Sequence, residues 1–245
     1  MAIVFFTLSI ISSSFAQQSK SEEVFEMRVY FAAPGKLNSL IKRFQDHTTA
    51  LFEKQGIVNV GYWVPINNTE NKLIYILKYP NLQAKTDMWK AFLADPEWNA
   101  VRTASEANGK LIDKIESTTL TSASFFPYIG ETEKNRGVFE LRIYDPEVGK
   151  LGDLCKRFED HTVALFNKHG MENVAYWIAK DADGKDAKLI YILGHKSEEA
   201  GKASFDTFRT DEAWIKARTA SEANGRLATS VSSTYMKALP FSKTK

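Results

Sequence analysis

Two short stretches of the chain carry the same alternation of apolar and polar positions. Phe25-Glu26-Met27-Arg28-Val29-Tyr30 and Phe139-Glu140-Leu141-Arg142-Ile143-Tyr144 place an apolar residue at every second position, with Glu, Arg and Tyr between. A period of two predicts a strand whose two faces differ. After the first strand, Ala33-Pro34-Gly35 reads as a turn. Leu37, Leu40, Phe44, His47 and Leu51 then recur at three- and four-residue spacing. They predict one helix over 36–55 with these residues on its apolar face, ended by Gly56. Val58 to Val64 and Leu73 to Leu77 read as strands on either side of a polar turn at 67–71. Asn81 is placed to cap a second helix. Asp95-Pro96-Glu97 opens a third, with a capping carboxylate, a proline in the first turn and an acid at the positive helix end. Ile115 to Thr121 supplies the last strand.

The whole pattern then repeats. Glu140, Arg142 and Tyr144 match Glu26, Arg28 and Tyr30 at a constant offset, as do Phe158, His161, Gly170, Tyr176 and Trp177 against Phe44, His47, Gly56, Tyr62 and Trp63. Lys72-Leu73-Ile74-Tyr75-Ile76-Leu77 recurs letter for letter at 188–193, and the stretch 102–109 recurs at 218–225. This is a tandem duplication. The units run over 24–121 and 138–237, joined by a polar linker at 122–137.

A strand–helix–strand unit doubled gives a four-stranded antiparallel sheet with helices on one face. The stretch Leu73–Leu77 does not alternate as a half-exposed strand should. Its second face must also be covered, and the nearest cover is the other repeat. The expected fold is therefore α+β: two tandem ferredoxin-like βαββαβ units that pair sheet to sheet as an intramolecular α+β barrel.

Glu-x-Arg-x-Tyr on the first strand, the helix pairs Arg43/His47 and Arg157/His161, the Tyr62-Trp63 and Tyr176-Trp177 strands and the Asp95-Pro96-Glu97-Trp98 helix start resemble NIPSNAP domains. The resemblance covers both repeats, with Glu212 standing at the position of Pro96. It implies the dimeric α+β-barrel architecture and little about chemistry.

Composition narrows the function classes. A formal charge of +2, from 32 basic and 30 acidic residues, gives no electrostatic footprint for nucleic acid. Cys155 is the only cysteine, so no disulfide forms within the chain and no zinc-type cysteine cluster exists. It reads as a buried apolar filler. No metal site or cofactor is expected. The apolar run Ile3–Ile11 is too short to span a bilayer, and small residues stand three and one positions before a cut after Ala16. Residues 1–16 thus read as a signal peptide, which predicts a periplasmic or secreted protein with no transmembrane segment.

Two groups of residues could carry chemistry. If the helices pack on Phe25, Met27 and Val29, then Glu26, Arg28 and Tyr30 face Glu140, Arg142 and Tyr144 across an inter-repeat cavity, with Trp63 and Trp177 beside them. Such a cavity suits a small anionic ligand. The same charges could instead form a self-neutralised network that only holds the barrel, making the protein a structural or interaction module. His47 and His161, the histidines present in both repeats, are the candidates for acid–base work in a pocket between helices and sheet. Further association into homo-oligomers stays open.

Overall fold

The computed structural model describes residues 23–128 and 137–245. The expected signal peptide and its cut after Ala16 lie outside the described residues, as does the 129–136 part of the linker.

In the first repeat, β1 (Val24–Ala32) leads into a long helix, which is followed by β2 (Val58–Pro65) and β3 (Lys72–Tyr79). Then come α3 (Leu82–Ala94), α4 (Pro96–Ser105) and β4 (Ile112–Ser122). The long helix consists of α1 (Leu37–Arg43), a π-turn (Phe44–Thr48) and α2 (Thr49–Lys54). The second repeat follows the same order. It comprises β5 (Val138–Pro146), α5 (Leu151–Arg157), a π-turn (Phe158–Thr162), α6 (Val163–Lys168), β6 (Glu172–Lys180), β7 (Asp186–His195), α7 (Glu198–Thr210), α8 (Glu212–Ser221) and β8 (Ala228–Ala238). The caps are those expected: Asn81 Oδ1 accepts from Ala84 N–H at 2.8 Å, and Asp95 Oδ1 accepts from Glu97 N–H at 2.8 Å.

The eight strands close into one antiparallel barrel in the order β1-β3-β2-β8-β5-β7-β6-β4. Within a repeat the ladders are long, eight residue pairs between β1 and β3. Between repeats they are short, three pairs at β2–β8 and three at β4–β6. Closure therefore depends on what fills the barrel. Its interior is one apolar cluster drawn from both repeats, including Phe25, Trp63, Ile76, Phe139, Trp177 and Ile192. Trp63 packs on Phe139 with ring centroids 5.8 Å apart, and Trp177 packs on Phe25 at the same 5.8 Å, so each repeat's tryptophan meets the other repeat's phenylalanine. Gly61 makes room for this. A Cβ there would lie 2.2 Å from the Trp63 ring.

The stretch Leu73–Leu77 is covered on both faces as its composition demanded. Leu73, Tyr75 and Leu77 lie under the helices, Ile74 and Ile76 inside the barrel. The segments that follow β4 and β8 are exchanged between repeats. Ala123 N–H donates to the Tyr176 carbonyl at 3.0 Å and Leu239 N–H to the Tyr62 carbonyl at 2.9 Å. Phe126 packs on Tyr176 and Phe241 on Tyr62. The first part of the expected linker is thus a packed strap across the other repeat.

Two expectations are corrected. The faces of β1 and β5 are the reverse of those assumed: Phe25 and Met27 point into the barrel, while Tyr30 joins the core under the helices. The barrel core is apolar, whereas the layer beneath the helices supplies the donors Tyr79, Trp89 and Ser117 to Glu26, so the charged row goes beneath the helices. The second correction concerns the π-turn. Thr49 N–H bonds back to the Phe44 carbonyl, five residues earlier, which underwinds the helix. Thr48 is carried inward, where its hydroxyl donates to the Arg43 carbonyl at 3.1 Å, and His47 is carried out to solvent. Thr162 and His161 repeat this arrangement.

Because the interior is shared, Trp63→Ala should cost about 3–5 kcal/mol and unfold both repeats together. Urea unfolding followed by circular dichroism and by fluorescence should give coincident transitions at a lower midpoint. Two separated transitions would contradict a common core.

Candidate functional site

Beneath the helices of each repeat, the strand charges form a layered arrangement. Glu26 is 1% exposed. It accepts hydrogen bonds from Arg28 Nη1 at 2.8 Å, Tyr79 Oη at 2.8 Å, Trp89 Nε1 at 2.8 Å and Ser117 Oγ at 2.5 Å, with Lys85 Nζ 3.5 Å away. Burial alone would raise the Glu26 carboxyl, but Arg28, Ser117, Lys85 and Tyr79 more than offset it and hold it below its ordinary value. Every lone-pair direction of this carboxylate is taken. It is an anchor for Arg28 rather than a base with a free oxygen.

Arg28 is then stacked. Its guanidinium lies 4.4 Å from the Trp89 ring and 5.4 Å from Tyr30. Arg43, from α1, reaches across to α4, where Nη1 donates to Glu106 at 2.9 Å and to Ser105 at 3.2 Å. Its guanidinium lies 5.2 Å from the Trp98 ring. Between these two arginines opens a pocket of about 320 Å³, walled by rings that include Phe44, Phe52, Trp89 and Trp98, with Arg102 at its rim. Three donors in its lining, Arg28 Nε, Arg43 Nε and Trp98 Nε1, are buried without an acceptor. Arg102 is exposed and makes no ion pair among the described residues.

The second repeat builds the same pocket with different neighbours, about 280 Å³ and lined by Arg142, Arg157 and Trp214 among others. Glu140 accepts from Arg142 Nη1 at 2.7 Å and Ser233 Oγ at 2.6 Å, and pairs with His195 Nε2 at 2.9 Å. Burial would raise the Glu140 carboxyl. His195, Arg142 and Ser233 more than offset that and hold it down. Here His195 stands where the first repeat has Tyr79, and Gly201 where it has Lys85. A Cβ on Gly201 would come within 3.0 Å of both the His195 and Tyr235 rings. Arg142 stacks on Phe205 at 4.4 Å in place of tryptophan.

These contacts place the candidates named from sequence. Glu26, Arg28 and Tyr30 come together, and so do Glu140, Arg142 and Tyr144, but each triad sits in its own helix–sheet layer and they do not share a cavity. Trp63 and Trp177 are barrel plugs, with Nε1 atoms that have no partner in the apolar interior. His47 and His161 are exposed and line outer grooves between the first and fourth helices of their repeats. The space between the repeats does contain a cavity at one barrel end, about 500 Å³, walled by Met27, Ile74, Leu141 and Ile190 and rimmed by lysines and acids. It holds none of the predicted charged triads. Cys155 is half-buried, and burial pushes its thiol up to about 11. Among the described residues no group of three or more His, Cys, Asp or Glu could hold a metal ion. No helix among them is long and apolar enough to cross a membrane.

Sequence reasoning missed Arg43, Trp89, Trp98 and His195 as site members. The available signal was the recurrence of Arg43, Trp98 and Glu106 at equivalent positions in both repeats, as Arg157, Trp214 and Glu222. Glu106 and Glu222 do tie α4 and α8 to the first helices, through Arg43 and Arg157.

A barrel of two βαββαβ repeats, each with a cationic, ring-lined pocket under its helices, defines the class. The family model NIPSNAP matches residues 25–127 and 139–243, and the chain belongs to this family. Protein NipSnap homolog 3A of Homo sapiens is 29% identical over 151 residues, 59% of each chain, and the Dictyostelium discoideum NipSnap homolog is 27% identical over 133 residues, 53% of this chain and 52% of that one. The aligned region thus spans somewhat more than half the length of these curated relatives. A monooxygenase-like protein from Fusobacterium nucleatum shares the fold at 11% identity and TM-score 0.60, covering 92% of this chain and 99% of that chain. This likeness shows architecture, not activity.

Removing Arg28 while leaving Glu26 buried should be costly. Arg28→Met is expected to lose about 3–5 kcal/mol at neutral pH, a loss that shrinks as pH falls and Glu26 takes up a proton. In the wild type the sign is opposite. Folded-state carboxyls held low contribute fully above the unfolded value of about 4.3 and lose that contribution as pH drops below it. Urea midpoints at pH 7, 5 and 3.5 for both proteins measure this; parallel pH profiles would contradict it.

Proposed function

We propose that this chain is a binding protein for a small organic anion, held in the helix–sheet pocket of the first repeat and its counterpart in the second, and that it works in the periplasm or outside the cell. The observation that carries the reading is a ring-walled pocket that has Arg28, Arg43 and the unpaired, exposed Arg102 in its lining. The aromatic walls supply the apolar contact, and Arg28 and Arg43 the charge. The fully occupied Glu26 supports binding over proton transfer, because no carboxylate oxygen is left for a substrate. The leader-like run at Ile3–Ile11 and the small residues before Ala16 support the location.

Five tryptophans make this testable by fluorescence, since Trp89 and Trp98 line the first pocket and Trp214 the second. Titration with 1-naphthoate should quench Trp98 emission, and the Trp98→Phe variant should lose that signal. Arg102→Met removes an unpaired rim cation without disturbing the core. It should leave the unfolding midpoint unchanged and weaken 1-naphthoate binding by about tenfold, the scale of one charge-assisted hydrogen bond. Binding that ignores both Arg102 and Arg43 would refute the pocket reading and leave the charges a purely structural role.

A further inference from the structure

The two pockets descend from one duplicated unit, yet their linings have diverged. Where the first pocket presents Leu93, the second presents Arg209, and Arg226 lines the second pocket at the position of Lys110, which does not line the first. Apolar bulk recedes at the same time: Trp89 is matched by Phe205, Ile112 by Ala228 and Ile115 by Val231. The first pocket is lined by three arginines and one glutamate, the second by five arginines and one glutamate.

We infer that the second pocket is a site for a compact anion carrying two or more negative charges, of the phosphate and diphosphate class, while the first keeps the organic monoanion. This rests on the reading that the helix–sheet pockets bind anions.

Arg142 and Arg157 form its floor, each with a buried Nε that has no acceptor. Arg209, Arg218 and Arg226 form the rim, each more than 60% exposed at the side chain. The rim cations are not idle: Arg209 pairs with Asp206 at 2.6 Å, Arg218 with Glu222 at 3.1 Å and Arg226 with Glu147 at 3.1 Å. Glu222 also holds Arg157 at 2.9 Å. Exposed pairs of this kind contribute little to stability, so a multivalent oxyanion competes for them effectively. Both changes at the rim end in arginine, the side chain whose planar fork matches phosphate oxygens in pairs. A lysine at 226 would serve a general positive field equally well. The smaller apolar wall favours a compact ligand over an extended aromatic one.

The test compares the wild-type chain with Arg209→Leu/Arg226→Lys, which restores the first repeat's residues at two exposed positions, and with the reciprocal Leu93→Arg/Lys110→Arg. Inorganic pyrophosphate and 1-naphthoate are titrated separately by calorimetry, with Trp98→Phe and Trp214→Phe assigning each signal to its pocket. Pyrophosphate should bind the wild type with a Trp214 response and weaken at least tenfold in Arg209→Leu/Arg226→Lys, while the Trp98 response to 1-naphthoate is unchanged. The reciprocal variant should gain pyrophosphate binding at the first pocket. Pyrophosphate binding that is absent, or indifferent to the double substitution, overturns the inference even when 1-naphthoate still quenches Trp98. Loss of 1-naphthoate binding with pyrophosphate retained overturns the first-pocket reading alone. Failure of both ligands removes both.

Discussion

The crossed packing of Trp63 on Phe139 and of Trp177 on Phe25 is the contact on which the molecule turns. The repeats share only two seams of three residue pairs each, too short to hold two sheets together through backbone hydrogen bonds alone. What closes the barrel is burial of a single apolar interior that neither repeat can complete from its own residues. Each tryptophan is thus seated by the other half of the chain. The straps after β4 and β8 repeat the exchange on the outside, with Phe126 on Tyr176 and Phe241 on Tyr62.

An apolar core shared by the repeats dictates where the charges go. Glu26 and Glu140 must leave the barrel, and the layer beneath the helices receives them because it offers donors from several elements at once. Tyr79 from β3, Trp89 from α3 and Ser117 from β4 all converge on Glu26. The neutralised carboxylate then fixes an arginine, and the arginine stacks on a ring. The pocket lies where this strand-borne arginine faces a second one from the first helix. Thr48 turns inward and donates its hydroxyl to the Arg43 carbonyl, while His47 is left in solvent.

Duplication within one chain lets the copies drift apart while the interior stays common. The barrel side has hardly changed: Phe, Trp and Ile recur at equivalent positions. The helix side has changed at several linked places. His195 replaces Tyr79, and Gly201 clears the space that the His195 and Tyr235 rings occupy. Arginines gather at the rim of the second pocket. Constraint is strongest where both repeats meet and weakest where each pocket faces solvent.

The duplication, the βαββαβ order, the caps at Asn81 and Asp95 and the pairing of the two sheets were all legible in the sequence. Each depends on local patterns or on internal repetition, and Leu73–Leu77 could not have been left half-exposed. The face on which the charged row lies was not legible. Alternation states that Phe25 and Glu26 point oppositely, and it is symmetric as to which side carries the helices. The inward turn of Thr48 in place of His47 follows from one shifted backbone hydrogen bond, which a helical pattern does not reveal. The pocket required tertiary structure most of all, because Arg28, Arg43, Trp89 and Trp98 come from four elements. Packing of the first repeat's helices on the charged face of its own sheet brings them under one roof.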